Sequence, residues 1–281
     1  MMPVTLSTNI NVLQSQKHLN QSAENVDRSL VRLASGSQIA SAKDNASGLQ
    51  IANRMLVQGS GLDRAAQNAN DAISMIETVD SALNDYTDNI MRMRDLSLEY
   101  GNGAFSKEDK ESIRGEYDSL QSELARITNS TSFGGKRLLS NHSGKYAFQI
   151  GSNSAQVMQV IFPDLNEIHS KKAQHDNLEY AIPELTDSES VDEALKQIDH
   201  ILDYLGHERI KLGTAQNRLG HSLNSIYKSA ENVAASQSQI RDTDFAKETT
   251  ELTKQSIIKQ ANTSMFVQAN RAPNDAIRLL G

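Results

Sequence analysis

Cysteine is missing from all 281 residues, which removes disulfides, thiolate nucleophiles and Cys-ligated zinc together. Tryptophan is missing too, and aromatic residues make up only 5%. Hydrophobic residues stand at 38%, below the roughly 45–50% usual for globular domains. Such a chain is short of material for one thick core and suits thin, elongated helical packing. No run of about 18 apolar residues occurs, so no membrane-spanning helix is expected. Positive charge is in the minority: 28 Lys and Arg against 35 Asp and Glu leave a net charge of −7. That argues against a nucleic-acid partner, whose phosphates need clustered cations, and favours solubility. The opening MMPVTLSTNINVLQSQKHLN lacks a basic stretch followed by an apolar one, so export by an ordinary cleaved signal is not expected.

Proline is scarce as well. Pro3, Pro163, Pro183 and Pro273 leave 4–162 and 184–272 free of a residue that costs about 3 kcal/mol inside a helix. Both stretches carry long periodic patterns. Leu62, Ala69, Ile76, Leu83 and Ile90 recur every seven residues, and Ala65, Ala72, Val79, Tyr86 and Met93 follow each by three. This is a coiled-coil seam of five heptads. A helix over 44–99 would be roughly 84 Å long. Gly101-Asn102-Gly103 ends it. Ser106, with Asp109 three residues on, then opens a helix over 106–129, with Ile113, Tyr117, Leu120, Leu124 and Ile127 at helical spacing. Between 132 and 165, turn residues separate two alternating runs near Tyr146–Ile150 and Gln156–Phe162, which predicts a β-hairpin region at about 131–183.

The longest repeat follows. From Val191 through Leu195, Ile198, Leu202, Leu205, Leu212, Leu219, Leu223 and Ile226 to Ile240, only Arg209, Gln216 and Gln237 break the spacing. A helix over 184–239 would again be roughly 84 Å, a match in length that predicts antiparallel pairing with the first and 106–129 as a third member. The expected fold is mainly α: a long antiparallel coiled-coil bundle with a small β-hairpin region in the middle. Its intrachain core is placed at Leu62, Ile76, Leu83, Ile90, Leu120, Leu124, Leu202, Leu212, Leu219 and Ile226. The ends differ. Residues 1–43 and 240–281 keep helical spacing but are rich in Gln, Asn, Ser, Thr and Ala. Each buries too little to offset about 1–2 kcal/mol of backbone ordering per residue. They are expected to order only when many copies pack, flanking a rod over 44–239.

No chemistry emerges from the motifs. Gly101-Asn102-Gly103 starts like a dinucleotide loop, but position 106 is Ser and no strand precedes it. Phe133-Gly134-Gly135-Lys136-Arg137 lacks phosphate-loop spacing. His200, His207 and His221 lie on one heptad stripe, where each seven residues rise about 10.5 Å, too far to share a metal. HExxH is missing. Asp242-Thr243-Asp244 suits helix capping and subunit contacts rather than a cation. No catalytic, cofactor-binding or metal residue is assigned, and no cofactor is expected. Gly206, Gly213 and Gly220 form a stripe that predicts close approach of another helix.

Several motifs in order at both ends carry a family resemblance. Arg32-Leu33-Ala34-Ser35-Gly36, SAKDNASGLQIANRM (41–55) and NANDAIS (68–74) resemble the N-terminal signature of bacterial flagellins. TSFGGKRLL (131–139) resembles the end of their short helix, and FQIGSNSAQ (148–156) their hairpin. QNRL (216–219), SQIRDTDFAKE (238–248) and QANTSMFVQANRAPNDAIRLL (260–280) resemble the C-terminal signature. Only about 163–190 lies outside the resemblance, so the chain reads as a short form without large outer domains. Met1-Met2-Pro3, Ala34, Asp95 and Gly281 depart from the commoner pattern.

The resemblance implies a non-enzymatic subunit that polymerises into the extracellular flagellar filament, the helical propeller of bacterial motility. It implies export in unfolded form by the flagellar type III secretion apparatus. The implied partners are further copies of the chain, a filament cap protein, hook-associated junction proteins and a flagellin export chaperone. Subunit contacts are then expected at Val26, Leu30, Leu33, Ile39, Ile51, Ile240, Phe245, Leu252, Ile257, Met265 and Leu279. The small, polar 35–55 segment would link inner tube to long helix where backbones approach closely. Arg92, Leu96 and Glu116 resemble the patch read by the host's toll-like receptor 5. Two rivals are weighed: a hook–filament junction protein, and a secreted enzyme on a helical stalk. In dilute solution, residues 1–40 and 245–281 are expected to give the poorly dispersed NMR signals of unstructured chain; rigid, dispersed signals there would overturn the division of the chain into rod and ends.

Overall fold

The computed structural model describes residues 9–140, 144–169, 174–175, 178–179, 182–185 and 190–280. Helix α1 spans Ile10–Ser35, α2 Ala46–Tyr100 and α3 Lys107–Ser130. Strands β1 (Ser132–Phe133), β2 (Lys136–Arg137), β3 (Lys145–Gln149) and β4 (Val157–Ile161) follow. After them come the short α4 (Asn166–His169), β5 (Gln174–His175) and β6 (Leu178–Glu179), then α5 (Ser190–Arg241) and α6 (Phe245–Leu280). By contact the chain divides into Met1–Gln58 with Glu231–Gly281, and Gly59–Ala230. The expected boundaries were the helix breaks near 43 and 240. The division by contact falls inside α2 and α5.

In the unit 59–230, α2 and α5 run antiparallel and share one apolar core with α3 and the hairpin. At 55 residues, α2 is about 82 Å long. Its heptad positions Leu62, Ile76, Leu83, Ile90 and Met93 are all buried, and so are the smaller Ala65, Ala69 and Ala72. Polar cross-links fix the pairing: Arg94 Nε donates to Asp199 Oδ1 at 2.8 Å, and Arg209 Nε to Asp80 Oδ1 at 2.9 Å. Gln216 reaches Glu77 at 3.5 Å. Two of the three residues that break the apolar repeat of α5 are thus the ones that set its register against α2.

On α5 the buried line runs through Ala194, Ile198, Ile201, Leu205, Leu212, Leu219 and Ile226. Leu202, placed in the core by its spacing, is only half-buried, and Leu120 of α3 likewise. Val191, Ala194, Ile198, Ile201 and Leu205 are buried at 3-4 spacing, so the face toward the core takes in Ile201 rather than Leu202. On α3 that face is centred on Tyr117, Leu124 and Ile127, leaving Leu120 on its flank. The Tyr117 hydroxyl donates to the Pro183 carbonyl at 2.9 Å. The capping box is present: Ser106 Oγ accepts from Asp109 N, while Asp109 takes the Ser106 N–H in return.

The hairpin β3–β4 pairs Lys145 with Ile161 through to Gln149 with Val157. Met158 and Val160 point to the core and Val157 and Ile161 away from it. A second hairpin, β1–β2, turns on Gly134 and Gly135, with φ of 56° and 79°. Two positive φ values at the central positions are what a two-residue type I′ turn requires. A Cβ added at Gly206, Gly213 or Gly220 would meet nothing. Among the described residues no helix therefore packs closely along that stripe.

Ile201 is fully buried and Leu202 is not, so the two neighbours should separate cleanly. Ile201→Ala is expected to cost about 2–5 kcal/mol and Leu202→Ala distinctly less, measured by urea unfolding; equal losses would place the core line back on Leu202.

Candidate assembly surface

Helix α1 opens on Asn9, whose Oδ1 accepts from Val12 N at 3.1 Å, and closes on Gly36 at φ 67°, the left-handed stop that glycine supplies without strain. Helix α6 opens on Asp244, whose Oδ1 accepts from Ala246 N at 2.9 Å and Lys247 N at 3.2 Å. Asp244 is thus the capping residue. Asp242 bridges Ser37 through the backbone. The two chain crossings are bonded directly: Gln38 N donates to Arg241 O at 2.7 Å and Thr243 N to Gly36 O at 2.9 Å.

The α1–α6 contact is mostly polar. Among the described side chains, Ser22, Val26, Ser29 and Glu248 are the buried residues of the pair. Asn25 Nδ2 donates to Gln255 Oε1 at 3.4 Å, and Asn262 Nδ2 to the His18 carbonyl at 3.2 Å. Arg32 Nη1 lies 3.8 Å from Glu248 Oε2. Arg32 Nε, Glu248 Oε1 and Thr243 Oγ1 are buried without a hydrogen-bond partner.

Because polar groups occupy the inside of this pair, large apolar side chains face out. Of the residues expected at subunit contacts, Leu30, Ile51, Phe245, Ile257 and Met265 are exposed, Ile257 to 62% and Met265 to 60%. Leu33, Ile240 and Leu252 are half-buried. Val26 and Ile39 are buried within their own chain, so they offer a neighbour no surface. Leu279 falls in 272–280, of which only the helical backbone is described. The exposed set also includes Ile10, Leu13, Val31, Leu56, Val57, Ile258 and Val267, with Val57 at 72%. Their signal in the sequence was a large apolar side chain off the apolar spacing of an otherwise polar helix.

The linker SAKDNASG folds by local hydrogen bonds. Ser41 N and Ser41 Oγ both donate to Asp44 Oδ2 at 3.0 Å. Asn45 Oδ1 accepts from Gly48 N at 2.9 Å and starts α2. A Cβ at Gly48 would meet both the Ile39 and Asn45 side chains at 2.7 Å, so glycine lets Ile39 seat there. This explains the small residues of the motif within one chain.

In the unit 59–230, Arg92 donates through Nε and Nη2 to Glu116 Oε1 at 2.9 and 2.6 Å. Both side chains are about half exposed, and water screens such a pair, which contributes little to stability. Leu96, grouped with them by resemblance, is only 1% exposed. Arg92 reaches α3 and Arg94 reaches α5. Helix α2 is therefore flanked on two sides, and the widened buried arc takes in Leu96. Leu96 is corrected from a contact residue to a core residue. Among the described residues no three His, Asp or Glu side chains gather to hold a metal, and no helix is long and apolar enough to cross a membrane.

These features define a helical building block whose chemistry lies in its surfaces. Residues 6–143 match the bacterial flagellin N-terminal helical region and 188–280 the C-terminal helical region. The chain belongs to the bacterial flagellin family, and it is a structural subunit of the flagellar filament. It is 33% identical over 383 residues to polar flagellin C of Vibrio parahaemolyticus serotype O3:K6, covering 99% of this chain and all of that one. Against flagellin B of Vibrio anguillarum it is 31% identical over 376 residues, covering both chains fully. The crystal structure of Bacillus cereus flagellin superposes with a TM-score of 0.50 at 26% identity, over 61% of this chain and 94% of that one. The Vibrio alignments run well past 281 residues, and 144–187 lies between the two family regions.

Hydrogen bonds from the Ser41 backbone and side chain hold the Asp44 carboxyl below its ordinary value. A depressed aspartate stabilises the folded turn above the ordinary value, and the stabilisation is lost as pH falls through the lower, folded one. Ser41→Ala is expected to move the Asp44 titration up toward the ordinary value in a carboxyl NMR experiment. An unmoved midpoint would show that the turn does not depend on Ser41.

Proposed function

We propose that copies of this chain join through the outward apolar faces of α1, α6 and the start of α2, ordering both ends as they do so. The supporting observation is the inversion just described: the two terminal helices spend polar groups on each other and leave Leu30, Phe245, Ile257 and Met265 to the outside. Burial of such side chains drives association at about 25 cal/mol per Å². A head-to-tail interface that does not close yields an open helical polymer. Outward apolar side chains also account for the other partners. An export chaperone would cover the C-terminal helix before release, and a cap protein would hold arriving copies at the tip. Junction proteins would offer the first copies a matching end. Release as an unfolded chain through the flagellar type III apparatus suits ends that gain their stability from neighbours. A host receptor reading the α2–α3 face would meet Arg92 and Glu116 but not Leu96.

Phe245→Asp and Ile257→Asp test the assembly surface. Each site is exposed, so the unfolding free energy of the unpolymerised chain should stay within about 0.5 kcal/mol. Sedimentable filament should fall sharply. Filament yield equal to that of the unsubstituted chain would remove this face from the interface.

A further inference from the structure

We propose that Asn262 sets the register in which α1 and α6 pair, with the small Ser22 as its counterpart. The proposal deepens the assembly reading and rests on it. Partner positions fall in step along the pair. Asn9 Nδ2 donates to the Ala269 carbonyl at 3.0 Å, and Asn262 Nδ2 to the His18 carbonyl and to Ser22 Oγ, at 3.2 and 3.4 Å. Asn25 meets Gln255 and Arg32 meets Glu248, and beyond the helices Gln38 meets Arg241. Apolar burial is non-directional, and Val26, still 9% exposed, is the one large apolar side chain of α1 that counts as buried. A slide of one turn, about 5.4 Å, is therefore resisted mainly by the polar contacts.

The two directions of sliding are not equivalent. Moving Glu248 on by one turn puts it opposite Gly36 and brings Val26 to the place of Ser22 beside Asn262, so the charge loses its partner and the amide loses its side-chain acceptor. Moving it back brings Glu248 to Arg28 and Gln255 to Gln21, which replace the native ion pair and the native amide contact in kind. The Arg32–Glu248 and Asn25–Gln255 contacts thus leave the backward slide open. Among the side-chain contacts between the two helices it fails at Asn262: His18 would come to the place where Ser22, 3% exposed, now sits beneath the amide, while the backbone bonds at the crossings hold the other end of the pair. Asn262 itself is half-buried and its counterpart Ser22 is buried; a polar contact that specifies one alignment among several is a known use of asparagine in helix pairs.

The cysteine-free chain gives a clean assay in filaments. Cysteines at Gln21 and Lys259 report the native register, and cysteines at Lys17 and Lys259 the backward slide; none belongs to the proposed lock. Asn262→Leu is assembled as a minority among unsubstituted copies, so the lattice carries it even where it would not assemble alone. Leu252→Ala serves as a variant that weakens the same helix pair without touching Asn262. The 17–259 disulfide is expected to rise about tenfold over background with Asn262→Leu and to stay at background with Leu252→Ala. The proposal is overturned by a 17–259 product that stays at background in the leucine variant, or rises equally in both. Failure of the unsubstituted chain to form filaments would count against the assembly reading instead.

Discussion

Two long helices in contact can bury either their apolar or their polar residues, and whichever they bury determines what the outside offers. In the α1–α6 pair the inside holds Ser22, Ser29, Glu248 and a series of amides. A satisfied hydrogen bond nets about 0.5–1.5 kcal/mol, while a fully buried Leu or Ile is worth about 1.5–3 kcal/mol. The pair therefore holds together less firmly than its length suggests, and its strongest stabilising groups remain unspent on the surface. The unpartnered Arg32 Nε and Glu248 Oε1 weaken it further. Terminal helices built this way depend on neighbours, and the same composition that makes them soluble makes them sociable.

The unit 59–230 follows the opposite rule. Its helices bury their apolar seams and put ions at the edges, where Arg94–Asp199 and Arg209–Asp80 add little stability but penalise every misaligned pairing. Burial pushes the Tyr86 and Tyr117 hydroxyls above the ordinary phenol range, so both stay protonated within the core. The segment after the hairpin folds back on the same core: Leu165 N donates to Leu139 O and Ile182 N to Ile168 O. With Leu138 and Leu185 buried as well, a short connection closes the bundle.

Much of this was legible in the sequence because periodicity over many turns averages out local ambiguity. The seam of α2, the Ser106 cap and the β3–β4 pairing all follow from spacing and turn chemistry. What escaped depends on one residue's angle or on a second neighbour. Ile201 and Leu202 are equally apolar, and both the 3-4 and the 4-3 spacing from Ile198 to Leu205 are helical, so spacing alone does not decide between them. Leu96 sits outside the heptad seam, and its burial needs a third helix that a two-helix reading does not supply. The β1–β2 turn was signalled by Gly134-Gly135 between short runs, but two-residue strands carry no alternation to read. The outward set on α1 and α6 was only partly foreseen, since Val26 and Ile39 share the spacing of Leu30 and Ile51 yet face inward.

The paired crossings at Gly36–Gln38 and Arg241–Thr243 have a mechanical consequence. Each is a break in a helix, and breaks are where a strut bends first. Two backbone hydrogen bonds tie them side by side, so a pull on one strand is shared by the other before either can lengthen. A propeller shaft built from such subunits would meet twisting load at this level with two joined strands rather than one.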